Sequence, residues 1–407
     1  EDCTALVVST AVEETVPDVR AARERALPIV HRSTILAHWV AAMRSIAVSG
    51  TSGKSSVTAM VFEVLRGAGR DPSVITGGDL VLLQREGLWG NAWAGSGDAL
   101  VIEADESDGS FLRLAPAVCV VTNIDREHLD HYKDLDDVRQ AFVYFANRVP
   151  FYGVTVLCVD DENVRSILPK LTKRHILYGT RPEAEIRMTG LELAGAGSRF
   201  TVEAGGRELG TITLQVPGRH NVMNALAAVA VGLELEIGFA HIAEALGTFH
   251  GVGRRFELRG EAAGVRVFDD YGHHPTEVAA TLAAARQVGG RVLVVFQPHR
   301  YTRTVALQQE FGACFTDADL AFVMDVYAAG EAPLPGISGR TVVEAAQAQG
   351  ASHVSYTPTA ADATAAVLAA ARPGDLVLTL GAGDVSKLGD ALLAGLRTTG
   401  AGAGGTR

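Results

Sequence analysis

An α/β fold in three domains is what this sequence predicts, with mainly parallel sheets and one antiparallel hairpin region. Short β-branched runs alternate with longer amphipathic segments along most of the 407 residues, the rhythm of βαβ units. Against about 150 residues per domain, the length calls for more than one hydrophobic core. Between residues 185 and 216 the rhythm breaks into "EIRMTGLELAGAGSRFTVEAGGRELGTITLQV". Its alternating apolar residues and Gly-rich turns favour antiparallel hairpins at a domain's edge.

Taken in order, strands are expected at residues 5–9, 45–48, 99–103, 118–122, 155–159, 265–268, 292–296, 320–324 and 376–380. Each is a short apolar run bounded by turn residues. Amphipathic spacing predicts helices at 56–66, 135–148 and 275–287, and "GRHNVMNALAAVAVGLELEIG" reads as a helix followed by a second at 241–247. Boundaries are placed near Met43, where a short β/α remnant meets a glycine turn, and near Gly251 to Gly253, after the helical pair. The expected division is therefore 1–43, 44–252 and 253–397, with the Gly-rich residues 398–407 as a mobile tail.

Composition narrows the function classes. Hydrophobic residues make up 47% and charged residues 20%, enough apolar matter for sizeable cores. A formal net charge of -11 argues against a general nucleic-acid binder, which needs a basic surface to displace counterions. Cys3, Cys119, Cys158 and Cys314 are far apart and form no Cys/His cluster, which fits a reducing compartment without structural zinc. No apolar run reaches the roughly 18 residues of a membrane span, and no signal-peptide pattern opens the chain. Small-molecule substrates in the cytoplasm are the expectation, with no nucleic-acid, membrane or obligatory protein partner.

Three groups of residues carry chemistry. In "VSGTSGKSSVTAM", Gly50, Thr51, Ser52, Gly53, Lys54, Ser55 and Ser56 lie between an apolar strand and a helical pattern. That context suits a phosphate loop: backbone N–H groups and a helix N-terminus face the anion, Lys54 reaches the terminal phosphates and a hydroxyl takes magnesium. Val48 stands where the usual spacing wants a glycine, so a plain strand-to-helix turn is the alternative. The second group is a pair of acid-rich strand ends. "ALVIEADESDGSF" presents Glu103, Asp105, Glu106 and Asp108, and "VVTNIDREHLDHY" presents Asn123, Asp125, His128 and Asp130, where an α/β sheet offers metal ligands. Taken singly, these are equally readable as solvated loop residues or helix caps. Converging with Lys54, they form a magnesium-nucleotide site.

The third group lies in the last third. "FDDYGHHPTEV" and "FQPHRYTRT" put Asp269, Asp270, Tyr271, His273, His274, His299, Arg300 and Arg303 into loops after strands. Arg300 and Arg303 suit a carboxylate or phosphate, since guanidinium forks bind such groups bidentately. His273 or His274 reads alternatively as a helix cap ahead of Pro275. "TLGAGDVSKLG" is half a dinucleotide fingerprint.

These strings, together with "GRHNVMNALAA", "GVGRRFE" and "DVYAAGEAPLPGISG", occur in the order found in the Mur ligases, and the chain resembles that family through almost its whole length. The resemblance implies a three-domain architecture: an N-terminal UDP-binding domain, a central P-loop ATPase and a Rossmann-like C-terminal domain that brings the amino acid. It implies an ATP-driven amide ligase with ATP and Mg2+ as cofactors, nearest to the branch that joins L-alanine to UDP-N-acetylmuramate through an acyl phosphate. By motif, Lys54 and the loop amides would hold phosphates, and Ser55 with Glu103 would hold one magnesium while His128 ligates a second. Asn224 would contact adenine and Arg255 would lie near the nucleotide. Tyr271 and His273 would lie by the amino acid, and His299, Arg300 and Arg303 by the reacting carboxylate.

Two departures stand out. The close relatives carry "GTHGKTT" in the loop, whereas this chain has Ser52, Ser55 and Ser56; Ser55 keeps a hydroxyl for the metal, but Ser52 loses an imidazole, which points to a divergent subgroup acting on another amino acid or a recycled muropeptide. The first 43 residues match only the last β/α units of the N-terminal domain, without its opening glycine-rich turn. A nucleotide-binding relative without catalysis and an NAD-dependent oxidoreductase, suggested by "GAGD", complete the alternatives. The second leaves Lys54 and both acidic strand ends unexplained.

Overall fold

The computed structural model describes residues 3–10, 12–128 and 131–403, so Asp130 and the end of the expected tail lie outside the described residues. Three sheets organise the chain. The smallest joins β1 (Leu6–Val8) in parallel to β2 (Ile29–His31), with helix Pro17–Glu24 between them. Helix Arg32–Ala42 follows at once, and its Val40 is buried with Leu100 and Ile102 of the next unit. The N-terminal residues are thereby anchored to the central core.

The second sheet has ten strands: β3 (Arg44–Ser49), β4 (Ser73–Ile75), β5 (Ala92–Trp93), β6 (Ala99–Glu103), β7 (Val118–Val121), β8 (Val154–Cys158), β9 (His175–Gly179), β10 (Ile186–Ala194), β11 (Gly197–Ala204) and β12 (Arg207–Leu214). Their order is β12-β11-β10-β9-β8-β7-β3-β6-β4-β5. Pairing is parallel from β4 to β10, and β10, β11 and β12 form the antiparallel edge expected from the alternating pattern. The inner strands are apolar throughout because helices cover both faces. Helices Lys54–Gly67, Arg219–Glu234 and Phe239–Gly247 pack on one face, and Leu135–Ala146 on the other.

The order places β3 between β6 and β7, although β6 and β7 are successive strands. Their carboxyl ends therefore lie side by side, and a crevice beyond such a crossover is where open α/β sheets bind ligands. The third sheet repeats the device. It runs β13-β14-β18-β15-β16-β17, from β13 (Glu257–Ala262), β14 (Val265–Asp270), β15 (Val292–Phe296), β16 (Leu320–Val323), β17 (Val354–Tyr356) and β18 (Leu376–Leu380), and only β13 is antiparallel. The carboxyl ends of β14, β18 and β15 are neighbours.

Two local readings change. The helix expected from residue 56 starts at Lys54, directly after the left-handed cap Gly53. A helix spans Leu388–Ala403, so residues 398–403, expected in a mobile tail, continue it. Among the described residues, no helix is long and apolar enough to cross a membrane.

Candidate active site

The glycine turn after β3 is moulded by the end of β7. Ser52 N donates to Asn123 Oδ1 at 2.8 Å, Thr122 Oγ1 donates to Ser52 O at 2.6 Å, and Asp125 N donates to Thr51 Oγ1 at 2.8 Å. Gly53 sits at φ +86°, and a Cβ there would lie 2.5 Å from Asn224 Oδ1, so only glycine fits. Asn224 is thus held against the loop although 171 positions separate the two residues in the chain. A cavity of about 340 Å³ opens beside Ser52, Gly53 and Ser56, walled by Asn224 and by Arg255 and Glu277 from the C-terminal unit.

Lys54 points back over its own turn. Its Nζ donates to Gly50 O at 2.8 Å, to Thr51 O at 3.2 Å and to Glu106 Oε1 at 3.0 Å. Burial works against the ammonium, but the carboxylates of Glu106, Asp105, Glu127 and Glu103 outweigh it and hold its pKa above the ordinary lysine range. Glu106 is itself buried, and burial pushes its carboxyl up to about 7, with Lys54 offsetting only part. The two shifts bear on one pair: a single buried Glu106 faces several carboxylates, whereas Lys54 is the cation they share. The lysine charge is the firmer of the two.

From Glu106 a chain of polar side chains crosses to the C-terminal unit, and burial lowers the pKa of its His128 member. His128 Nε2 lies 3.7 Å from Glu106 Oε1 and 3.8 Å from Glu127 Oε2. Glu127 Oε1 accepts from Arg303 Nη2 at 2.8 Å and lies 3.5 Å from His273 Nε2. Burial alone would raise the Glu127 carboxyl, but its hydrogen bond to His273 and the charges of His273, His128 and Arg303 hold it well below the usual range. His128 and Arg300 both adopt left-handed backbone, at φ +55° and +68°. Such positions cost about 1–3 kcal/mol each and persist where the surroundings dictate them, commonly at functional sites.

On the C-terminal side, β14 ends at Asp270 and the loop turns through Tyr271 and His273. Tyr271 lies under two guanidinium groups, Arg254 at 5.0 Å and Arg255 at 5.1 Å from its ring centre. His273 Nδ1 is 3.1 Å from Tyr271 O, and its ring meets that of His299 at 5.5 Å. Arg303 Nη1 lies 3.0 Å from His299 Nδ1; an arginine only donates, so Nδ1 accepts. Burial, with the charges of His273, Arg303 and Arg300 adding, lowers His299 to about 3, and the ring is neutral at neutral pH. His274 is the cap of helix Pro275–Val288, accepting from Thr276 N, as its structural reading required. A second cavity of about 230 Å³ is lined by Arg126, Glu127, His128, Arg300 and Arg303, a setting for an anion.

The expected site residues fall into subsets. Lys54 and His128 meet through Glu106, and His273 and Arg303 meet on Glu127 with His299 against both of them. Glu103 accepts from Thr76 Oγ1 at 2.7 Å and Gly77 N at 2.8 Å, and the neighbouring Gly78 faces Ser55, so Glu103 and Ser55 share that turn. Among the described carboxylates and imidazoles, Asp105, Glu106 and His128 form a group able to hold a metal ion, with ligand atoms within 4.8 Å of one another. Glu106 Oε2 is buried without a hydrogen-bond partner among the described residues, which fits a cation. Glu127 and Glu277 were missed by sequence reasoning. Glu127 directly precedes His128, and Glu277 stands three residues after the cap His274, spacings that could have drawn notice. "GAGD" is filled from within: Gln297 Oε1 accepts from Val385 N at 3.1 Å, and a Cβ on Gly383 would lie 2.3 Å from that oxygen, so no dinucleotide phosphate has access to that turn.

The chain matches the Mur ligase middle domain over residues 48–232 and the Mur ligase, glutamate ligase domain over residues 254–383. It is 50% identical over 401 residues to a UDP-N-acetylmuramate–L-alanine ligase of Solibacter usitatus, covering 98% of this chain and 84% of the relative. A protein of the same name from Myxococcus xanthus is 48% identical over 395 residues, covering 97% and 83%. The crystal structure of UDP-N-acetylmuramate-alanine ligase from Thermotoga maritima superposes with a TM-score of 0.81 at 26% identity, over 98% of this chain and 86% of that one.

Proposed function

The chain belongs to the Mur ligase family, and on that premise we propose that it joins L-alanine to UDP-N-acetylmuramate at the expense of ATP, in peptidoglycan precursor synthesis in the cytoplasm. One observation carries the reading at the level of geometry. Lys54 of the phosphate loop and Arg303 with His273 of the C-terminal unit end one continuous series of polar side-chain contacts, through Glu106, His128 and Glu127.

The reaction first transfers the terminal phosphoryl group of ATP to the muramate carboxylate. Two anions must be brought together, so positioning and cationic stabilisation supply most of the acceleration. Lys54, whose ammonium form its carboxylate neighbours favour, would exchange Glu106 for the phosphate, while Asn224 contacts adenine and Arg255 lies along the nucleotide. The N–H groups of Gly53 to Ser56 at the helix N-terminus would face the phosphates, those of Thr51 and Ser52 being bonded to Asn123. One magnesium would be held by Ser55 and Glu103 and a second by His128, with Asp105 and Glu106 beside it; when bound they neutralise phosphate charge. Arg300 and Arg303 would hold the reacting carboxylate and the phosphate formed on it. The acyl phosphate is then attacked by the amine of L-alanine, which Tyr271, His273 and neutral His299 would orient, and the tetrahedral intermediate collapses to amide and phosphate.

The test is phosphate release with ATP and UDP-N-acetylmuramate across a panel of amino acids. Release that depends on L-alanine is expected. Release indifferent to L-alanine, or faster with another amino acid, would overturn the substrate assignment.

A further inference from the structure

Ser52, the residue that departs from the family's histidine, has a partner 225 positions away. Its Oγ donates to Glu277 Oε1 at 3.0 Å, across the seam between the phosphate loop and the C-terminal unit. The backbone of Ser52 is pinned on the other side by Thr122 and Asn123, so its side chain is aimed rather than free to rotate away. Glu277 is equally committed. Its Oε2 accepts from His273 N at 3.0 Å and from His274 N at 3.3 Å, and His273 Nδ1 lies 3.6 Å from it. One carboxylate therefore ties the phosphate loop to the two backbone amides that shape the Tyr271–His274 loop.

We propose that Ser52 is a positioning residue for the amino-acid substrate, using Glu277 to set the Tyr271–His273 loop from the nucleotide loop, so that nucleotide binding and L-alanine binding are coupled. This rests on the ligase reading. The coupling has a direct route: any shift of the loop on nucleotide binding moves the Ser52 hydroxyl, and the Glu277 carboxylate that accepts from it carries the shift to the His273 and His274 amides. The seam does not depend on this link alone. Thr276 Oγ1 donates to Asp125 Oδ2 at 2.8 Å and Arg303 Nη2 to Glu127 Oε1 at 2.8 Å, so loss of the Ser52 hydroxyl leaves the two units in contact and the effect local.

The experiment uses Ser52→Ala and Ser52→Thr in the full chain. A hydrogen bond to a carboxylate is strong enough that its loss is expected to raise KM for L-alanine about tenfold in Ser52→Ala, a larger change than in KM for ATP. Ser52→Thr keeps the hydroxyl and is expected to restore KM. Hydrogen exchange supplies a readout independent of turnover: MgATP is expected to slow exchange in the 271–277 segment of the wild type and of Ser52→Thr, and only in the 50–56 loop of Ser52→Ala. An unchanged KM for L-alanine in Ser52→Ala, or unchanged protection of 271–277, would overturn the proposal. Failure of the nucleotide reading looks different, because wild-type residues 50–56 would then gain no protection from MgATP, and both inferences would fall.

Discussion

On the proposed reading Lys54 bears the charge on which phosphoryl transfer depends, and the carboxylates around it favour the ammonium form against its burial. Replacing it with alanine leaves Glu106 buried and unpaired and removes the cation from the transferred phosphate. Lys54→Ala is therefore expected to lower kcat at least about a hundredfold, the scale of losing one preorganised stabilising donor. A near-normal kcat in steady-state phosphate release would show that this loop is not the phosphate site. Lys54 was legible because a phosphate loop is local: strand, glycine turn, lysine and helix are adjacent in the chain. Glu127 was not, because nothing beside it in sequence shows that Arg303 and His273 converge on its carboxylate from more than a hundred residues away.

At the scale of elements, helix Lys54–Gly67 is buried along nearly its whole length between the central sheet and helices Arg219–Glu234 and Phe239–Gly247. It carries one buried acid, Glu63, which burial pushes up to about 8, Arg66 and Arg85 offsetting only part. The folded-state value lies above the unfolded one. The folded protein thus favours the protonated carboxyl, and this contribution is complete below about pH 4.5 and is lost as pH rises through 8. Glu63→Gln keeps the shape and removes the titration. Its urea midpoint is expected to gain on the wild type between pH 5 and pH 8, by on the order of a few kcal/mol in stability. A difference that does not vary with pH would show that Glu63 is ionised in the fold. The helix and most inner strands were legible because periodicity and β-branching record which faces are buried. Its first turn was misplaced by two residues, since the start is decided by the left-handed Gly53 against Asn224 and not by amphipathic spacing.

For the whole molecule, nucleotide and metal should act as folding ligands. Saturating MgATP, near a hundred times its Kd, stabilises by about 2.7 kcal/mol and should raise the melting temperature by a few degrees. EDTA should reverse the rise and stop phosphate release, because the clustered carboxylates of Asp105 and Glu106 repel phosphate unless a cation intervenes. A rise that survives EDTA would argue against a metal at this cluster.

The sequence by itself determined the α/β rhythm, the antiparallel edge, the glycine turn ahead of helix Lys54–Gly67 and the order of motifs that marks the family. All of these are local patterns or strings of neighbouring residues. Tertiary structure decided what the strings do to one another. Strand order set the ends of β3, β6 and β7 side by side and turned them toward the ends of β14 and β15, so that Lys54 met Glu106, Glu127 met Arg303, and Ser52 met Glu277. Burial then set which of those groups carry charge, and burial belongs to the packed chain, not to any segment of it.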